Sequence, residues 1–367
     1  MRRETPRQTD SMSGSSVPSA FERKLRTLSD NSIPTRCHWD LTYRCNASCA
    51  YCFVKGRDLE SDLSTPQALA ATDALRKSGV LAVTLSGGEP FLRSDILQIL
   101  TCLIENDIFW ISILTNATIV DSQHIDFLCR HADCVQNVQV SMYSHVSSVN
   151  DTYFGVSSAL KKQLEVCRLL AYSGIRVKVA LNLFEFNIDT SAQTKAFLED
   201  KGFEVSLPYQ KIPCGDGSCA ADDCVTTQFY KRLFESTKWD PREKMDRAVH
   251  RRHDQRFLNS FPCNGLFNSI YLAPNGGIHP CGVLREPSLG SILGNSSIQQ
   301  ILSNSDLYRA LRSVRNDSFR KCRGCQYFGF CFQCLGLNRA RTGSHLTPAP
   351  QTCRFAEAAA ELSRVSS

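Results

Sequence analysis

Residues 37–53 read CHWDLTYRCNASCAYCF. The opening "CHWDLTY" is apolar and aromatic with few breaks and reads as a buried strand. The ten residues behind it place Cys45, Cys49 and Cys52 within eight positions and supply no fourth thiol. A loop at the C-terminal end of a strand is where α/β folds put their chemistry. The fold therefore turns on whether this strand opens a parallel series.

The pattern downstream says that it does. "TPQALAATDALRKSG" has apolar residues at helical spacing and a glycine stop. Strand and helix then alternate: "LAVTLS" before "SDILQILTCLIEND", "FWISILTN" before "SQHIDFLCRHA", "VQNVQVSMYS" before "SSALKKQLEVCRLLAYSG", and "IRVKVALNL" before "SAQTKAFLEDKG". "FEVSLPY" closes the series. Six strands separated by helices predict a parallel sheet, because parallel neighbours need helical crossovers. Six units are fewer than a closed barrel needs, so the expected fold is α/β, a partial (β/α)6 TIM-like barrel with its site at the strands' C-terminal ends.

Around this core the chain divides into further expected segments. Residues 1–35 are small and polar and read as a tail. The core runs over 36–235, including a short helix at "TTQFYKRLFES", and a charge-rich bridging segment follows at 236–260. Residues 261–367 are cysteine-dense and short on long elements. Such a segment is expected to build little core and to draw folding energy from metal.

Composition narrows the function classes. The net charge of +6 in 367 residues comes with no basic stripe, which excludes a nucleic-acid footprint. No run of about eighteen apolar residues spans a membrane and no apolar stretch follows the arginines of "MRRETPRQTD", so a cytoplasmic protein is expected. Eighteen cysteines in a long chain of that kind point to metal or redox chemistry rather than disulfides.

Three thiolates suit an iron–sulfur cluster, which ordinarily takes four; one iron would stay open, and an open metal position is a reaction site. A zinc site completed by a distant residue, or unpaired core cysteines, is the alternative. "SGGEP", Ser86 to Pro90, follows the second strand. Paired glycines there let backbone approach a ligand closely, with free amides and carbonyls for a polar head group.

With these two loops on successive strands, the chain resembles the radical S-adenosylmethionine (SAM) superfamily over roughly residues 37–210. Its three-cysteine signature, with an aromatic before the last thiol, matches Cys45, Cys49, Tyr51 and Cys52. The resemblance implies a four-iron cluster whose open iron chelates SAM, and reductive cleavage to a 5′-deoxyadenosyl radical. It implies that Gly87, Gly88 and Glu89 line the methionine moiety, that Asn116 and Ser141 face the cofactor, and that Tyr51 packs near the adenine.

The tail carries a second resemblance. "NGLFNSIYLAPNGGIHP", between Cys263 and Cys281, reads as a hairpin turning at "PNGG". Cys322, Cys325, Cys331 and Cys334 follow in "CRGCQYFGFCFQC", and Cys353 lies beyond. A zinc ribbon is the structural alternative. The order is similar to the SPASM domain, which implies two auxiliary four-iron clusters: Cys263, Cys281 and Cys334 on one, Cys322, Cys325, Cys331 and Cys353 on the other. Two residues separate Cys331 from Cys334 where the family usually has three. The first auxiliary cluster lacks an obvious fourth ligand; Cys214, Cys219, Cys224 and His279 are candidates. Cys37, Cys102, Cys129, Cys134 and Cys167 read as structural.

Enzymes with this tail mostly modify peptides, and "VSMYSHVSSVNDTYFG" and "KIPCGDGS" look most similar to the peptide-maturase branch, with Asn150 where that branch usually has histidine. The resemblance therefore implies hydrogen abstraction from a ribosomally made peptide, with an electron donor such as flavodoxin or ferredoxin. Many such maturases carry a leader-recognition domain of roughly 80 to 100 residues, the size of a small independent domain. Only 36 residues precede Cys37, so a separate leader-binding protein, or a small carbohydrate-like substrate such as an aminocyclitol, is the further expectation. A non-catalytic zinc scaffold is the third. The group that accepts a proton or quenches the radical is not identified by the sequence.

Overall fold

The structure is a computed structural model, and it describes residues 27–28, 33–57, 62–208, 225–238, 253–263 and 265–365. Most of the bridging segment lies outside the described residues, as do Cys214, Cys219 and Cys224 ahead of it.

The expected alternation is present. Strand β1 (Arg36–Thr42) is followed by α1 (Thr65–Lys77), β2 (Ala82–Gly87), α2 (Ile96–Glu105), β3 (Trp110–Thr115), α3 (Ser122–Arg130) and β4 (Val135–Met142). Next come α4 (Ser147–Phe154), α5 (Ala159–Tyr172), β5 (Arg176–Leu181), α6 (Ser191–Asp200) and β6 (Glu204–Ser206). The six strands pair in parallel in chain order. Capping explains several boundaries: Ser64 and Gln67 form a capping box on α1, and Asp121 accepts from the amide of His124 at the start of α3.

Strand alternation sorts the two faces of the sheet. Trp39, Leu41, Val83, Leu85, Ile111, Ile113, Val138, Val140, Val177 and Val179 turn outward into one apolar cluster with helix residues such as Leu75, Leu100, Leu128 and Leu170. The opposite residues, among them His38, Asp40, Thr84, Ser112, Asn137, Gln139, Ser141 and Lys178, form a polar concave face. Asn137 Nδ2 and Trp110 Nε1 both donate to Ser112 Oγ there, at 2.7 and 3.2 Å.

The tail's hairpin is present as β7 (Ser269–Leu272) and β8 (Gly277–His279), with Tyr271 opposite His279. Its place in the sheet has no local signal in the residues. Strand β7 pairs in parallel with β1, Cys37 opposite Ile270, and with β9 (Gly290–Ser291) makes a sheet of nine strands ordered β6-β5-β4-β3-β2-β1-β7-β8-β9. The edge of the first strand is thus closed by the C-terminal segment.

One expectation needs correction. The tail does build core. Helix α7 (Thr227–Thr237) packs on a C-terminal helix over Pro350–Val365, the longest in the described residues, which the sequence reading left unassigned. Phe229, Tyr230, Leu233 and Phe234 meet Phe355, Ala356, Ala359 and Ala360 in a buried cluster, with Tyr230 and Phe234 edge-on to Phe355 at 5.2 and 5.3 Å. The small residues of "AEAAAEL" let the two helices approach closely. A further cluster holds Leu266, Leu284, Leu311, Phe319, Phe328 and Leu335.

Candidate functional site

The cysteine loop leaves β1 at its C-terminal end and is held from two sides. Ser48 N and Ala50 N donate to the carbonyls of Phe154 and Tyr153 at 2.9 and 3.1 Å, so the last turn of α4 accepts the loop's amides. Gly155 ends that helix at φ +65°, and a Cβ there would stand 2.0 Å from Ser48 Oγ. On the other side, Gly88 N donates to Thr42 O at 2.7 Å and Glu89 N to Arg44 O at 3.0 Å.

This changes the reason for the glycine pair. The close approach is to the chain's own backbone: a Cβ on Gly87 would lie 2.1 Å from Thr42 O, and one on Gly88 2.2 Å from Arg44 O. Gly87 also has φ +130°. The amides of Gly88 and Glu89, expected to be free for a ligand, are spent on the cysteine loop.

Glu89 is wholly buried, so its carboxylate does not line an open cleft. It accepts from Thr115 Oγ1 at 2.7 Å, Phe91 N at 3.2 Å and Asn116 N at 2.7 Å, fastening β2 to the end of β3. Burial pushes its pKa up to about 7, against the pull of those three donors.

Asn116 reaches the cysteine loop directly: Nδ2 donates to Asn46 Oδ1 at 3.0 Å and lies 3.6 Å from Cys45 Sγ. The backbone carbonyls of Asn116 and Ser141 both accept from Gln163 Nε2, at 3.0 and 3.1 Å. Gln163 Oε1 in turn accepts from Asn150 Nδ2 at 2.9 Å, and Asn150 Oδ1 accepts from Tyr143 N at 2.9 Å. Gln163 and Asn150 are fully buried. The amide that stands in for histidine at position 150 therefore ties the ends of β3 and β4 together through Gln163 of α5, and Gln163 was missed because it lies within a helix that reads simply as amphipathic.

An aromatic wall backs the loop. Tyr51 stacks on Phe184 at 3.9 Å between centroids, Tyr153 on Phe186 at 3.2 Å, and Tyr143 meets Phe154 edge-on. One face of Tyr51, expected near an adenine, is thus covered by Phe184. The Tyr143 hydroxyl hydrogen-bonds Cys49, a contact without a sequence signal.

Charge coupling among the thiols divides them into three sets. Cys45, Cys49 and Cys52 form one; Cys263, Cys281 and Cys334 a second; Cys322, Cys325, Cys331 and Cys353 a third. Burial raises the thiols of Cys45, Cys331, Cys334 and Cys353, and lifts Cys49 to about 12 and Cys281 and Cys322 to about 11. Backbone amides aim at the sulfurs, Ala47 N at Cys45, Leu284 N at Cys281 and Leu337 N at Cys334, each at 3.4 Å. Such amides stabilise thiolate once metal displaces the proton.

Among the described residues no three Cys, His, Asp or Glu side chains converge on a single-ion site. Zinc draws all its thiolates to about 2.3 Å of one point, whereas the cysteines of an iron–sulfur cluster are shared among several irons. Coupled but spread thiols fit clusters better than zinc. His279 is buried on β8 with Nδ1 unpartnered, and its other contacts are the Arg285 backbone and the Tyr271 ring, with no coupling to the second thiol set. Cys37 and Cys167 are buried core residues, as expected, while Cys102, Cys129 and Cys134 are only half-buried; Cys102 Sγ bonds Thr72 Oγ1 at 2.8 Å.

Comparison with known proteins agrees with this arrangement. Residues 39–198 match the radical SAM superfamily, and residues 263–326 match SPASM, an iron–sulfur cluster-binding domain. The antilisterial bacteriocin subtilosin biosynthesis protein AlbA of Bacillus subtilis is 26% identical over 328 residues, covering 87% of this chain and 72% of AlbA. An AdoMet-dependent heme synthase of Methanosarcina barkeri is 23% identical over 345 residues, 87% of this chain and 96% of that one. The crystal structure of Streptococcus suis SuiB bound to precursor peptide SuiA has the same fold, with TM-score 0.68 and 18% identity over 94% of this chain and 83% of SuiB. The chain belongs to the radical SAM superfamily and is an enzyme of its SPASM-containing, peptide-maturase-like members, using SAM and four-iron clusters.

Proposed function

We propose that this enzyme modifies a ribosomally made peptide, removing hydrogen from an unactivated C–H in a net oxidation such as cross-link formation. The observation that carries it is the join of two features, one at the C-terminal end of the sheet and one on its polar face. A three-thiol loop stands at the strand ends, and below it the concave face is lined by hydrogen-bonding side chains, Thr84, Ser112, Asn137, Gln139 and Ser141. A peptide, with a donor and an acceptor on almost every residue, has partners along such a face; a flat macrocycle calls for apolar walls. AlbA's role in bacteriocin biosynthesis and SuiB's precursor peptide support the same substrate class.

Cys45, Cys49 and Cys52 would hold the cluster that binds SAM, with Asn116 and Tyr143 donating to the sulfurs of Cys45 and Cys49. Gly87 and Gly88 fix the second-strand loop against it, Glu89 braces that loop from behind, and Ser141 and Tyr51 border the cofactor space. Cys263, Cys281 and Cys334, and Cys322, Cys325, Cys331 and Cys353, would hold two auxiliary clusters in the 261–367 segment behind the 36–235 core. When bound, these groups supply a 5′-deoxyadenosyl radical and a route for electrons. A cytoplasmic setting with a flavodoxin or ferredoxin donor completes the proposal; no helix among the described residues is long and apolar enough to cross a membrane.

The test is anaerobic reconstitution followed by reaction with SAM, reductant and the peptide encoded by a short neighbouring reading frame. About three four-iron clusters per chain, 5′-deoxyadenosine that vanishes in Cys49→Ala, and a peptide lighter by a pair of hydrogens are expected. Zinc in place of iron, or undiminished cleavage in Cys49→Ala, would overturn it; an unchanged peptide with a modified sugar would redirect the substrate.

A further inference from the structure

Where β1, β7 and β8 meet on the concave face, polar side chains form a single file. Arg285 Nη1 donates to Tyr43 Oη at 3.0 Å, so the Tyr43 proton is left for Tyr271 Oη, also at 3.0 Å. Tyr271 donates to Asp40 Oδ2 at 2.5 Å, and Asp40 Oδ1 meets His38 Nε2 at 3.2 Å. The centre is sealed, with Asp40 at 0% and Tyr271 at 1% exposure. The ends are open: Tyr43 is half-buried beside the cysteine loop and the His38 side chain is 36% exposed.

The charges around the file are few. Arg285 Nη2 lies 3.3 Å from Asp40 Oδ2, its Nε donates to Gly282 O at 2.5 Å, and its guanidinium sits over the Tyr43, Phe53 and Tyr271 rings at 5.3, 5.6 and 4.7 Å. Arg57 acts on Tyr43 from the loop beyond Cys52, and His279 leans on Tyr271 from β8, its ring kept neutral by burial. A brace between β1 and the C-terminal segment needs only the Arg285–Asp40 ion pair. The two hydroxyls add something a brace does not use, a one-way order of O–H donors running from the cavity to a buried carboxylate with an imidazole as outlet.

Resting on the function proposed above, we infer that this file takes up the proton released when the substrate is oxidised. In forming a C–X bond, the substrate loses a hydrogen atom from carbon to the 5′-deoxyadenosyl radical, and its X–H bond (N–H, O–H or S–H) then breaks. The X lone pair and the unpaired carbon electron make the new bond, leaving one electron and one proton. The electron passes to an oxidised iron–sulfur cluster. The proton passes to Tyr43, which hands its own to Tyr271 as Tyr271 hands one to Asp40, so the net change falls on Asp40 and His38. Asp40, Tyr271 and Arg285 are positioning residues, acting through Tyr43.

Tyr271→Phe separates this role from bracing, because it keeps the Arg285–Asp40 pair and breaks the file; Asp40→Asn removes the acceptor and the ion pair together. Both are expected to bind iron and to form 5′-deoxyadenosine with SAM and reductant as the parent does, while modified peptide per 5′-deoxyadenosine falls at least tenfold, since a general base contributes about 10²–10⁴. The parent's solvent deuterium isotope effect on product formation should be lost. Infrared difference spectra of the apoprotein, parent minus Asp40→Asn, should show a carboxylate band that shifts on H/D exchange in the parent but not in Tyr271→Phe. An unchanged product ratio in Tyr271→Phe, or a carboxylate band indifferent to exchange, overturns the inference. Absence of 5′-deoxyadenosine from the parent would sink the proposed function instead, and the infrared result would still decide whether the file exists.

Discussion

Replacing Glu89 by glutamine should make the apoprotein gain stability relative to the parent as pH rises. In an unfolded chain the carboxyl has its ordinary value of 4.5; inside the fold, burial lifts it to about 7. A group raised in this way contributes stability in full below about pH 4.5, and that contribution is lost as pH rises through about 7. A difference of about 2.5 pKa units is about 3 kcal/mol, of which about 2 kcal/mol is lost between about pH 5.5 and pH 8.5. Glutamine resembles the protonated acid in shape and does not titrate; its amide carries two N–H donors where the acid has one O–H, an offset that is the same at both pH values. Urea unfolding of the two apoproteins at those two pH values isolates the difference, because the raised cysteine thiols are common to both. The variant is expected to gain on the parent by about 2 kcal/mol over the interval. A difference between variant and parent that stays flat over the interval would show that the donations from Thr115, Phe91 and Asn116 outweigh desolvation and keep the carboxylate ionised throughout it, which would refute the reasoning.

Two further perturbations address the loops and the tail. Gly88→Ala places a methyl 2.2 Å from Arg44 O, a contact between backbones that no rotamer relieves; a loss of about 1–3 kcal/mol and poor occupation of the Cys45, Cys49 and Cys52 set are expected. Thermal melts and iron analysis test this, and a fully loaded, equally stable variant would contradict it. Cys325→Ala removes one member of the third thiol set, so iron should fall by about one cluster while 5′-deoxyadenosine formation is spared more than peptide modification. Equal loss of both activities would mark that set as purely structural.

The strand order was legible because each core strand carries apolar residues at alternate positions and each crossover has a 3.6-residue period; β1 to β6 fall where those periods change. Long-range closure was not legible. "SIYL" pairs with β1 as well as with its hairpin partner β8, so the hairpin extends the main sheet instead of forming a small separate one, and nothing local distinguishes those destinations, since the same apolar alternation serves either. The helix over Pro350–Val365 was hidden for a different reason: a cysteine in its first turn drew attention to ligation, whereas "AEAAAEL" has the helix propensity and small volumes needed to pack on Phe229 and Phe234.

At the site, the positions of the thiols were readable and their supports were not. Spacing alone separated Cys45, Cys49 and Cys52 from the tail cysteines, whereas the division of the tail into two sets came from the resemblance to the SPASM domain and not from spacing. The glycine pair was read as a place for ligand to approach, but its Cα atoms abut Thr42 and Arg44, and its neighbour Glu89 faces Thr115. A glycine requirement in sequence reports crowding without saying by what. The buried amides of Asn150 and Gln163 carry the same lesson from the opposite side: they touch no proposed ligand, yet they fix the carbonyls of Asn116 and Ser141. Placement of a radical near one C–H demands strand ends that do not shift, so the rigidity needed for selectivity resides in these hydrogen bonds between strands, where pattern in a single sequence is silent.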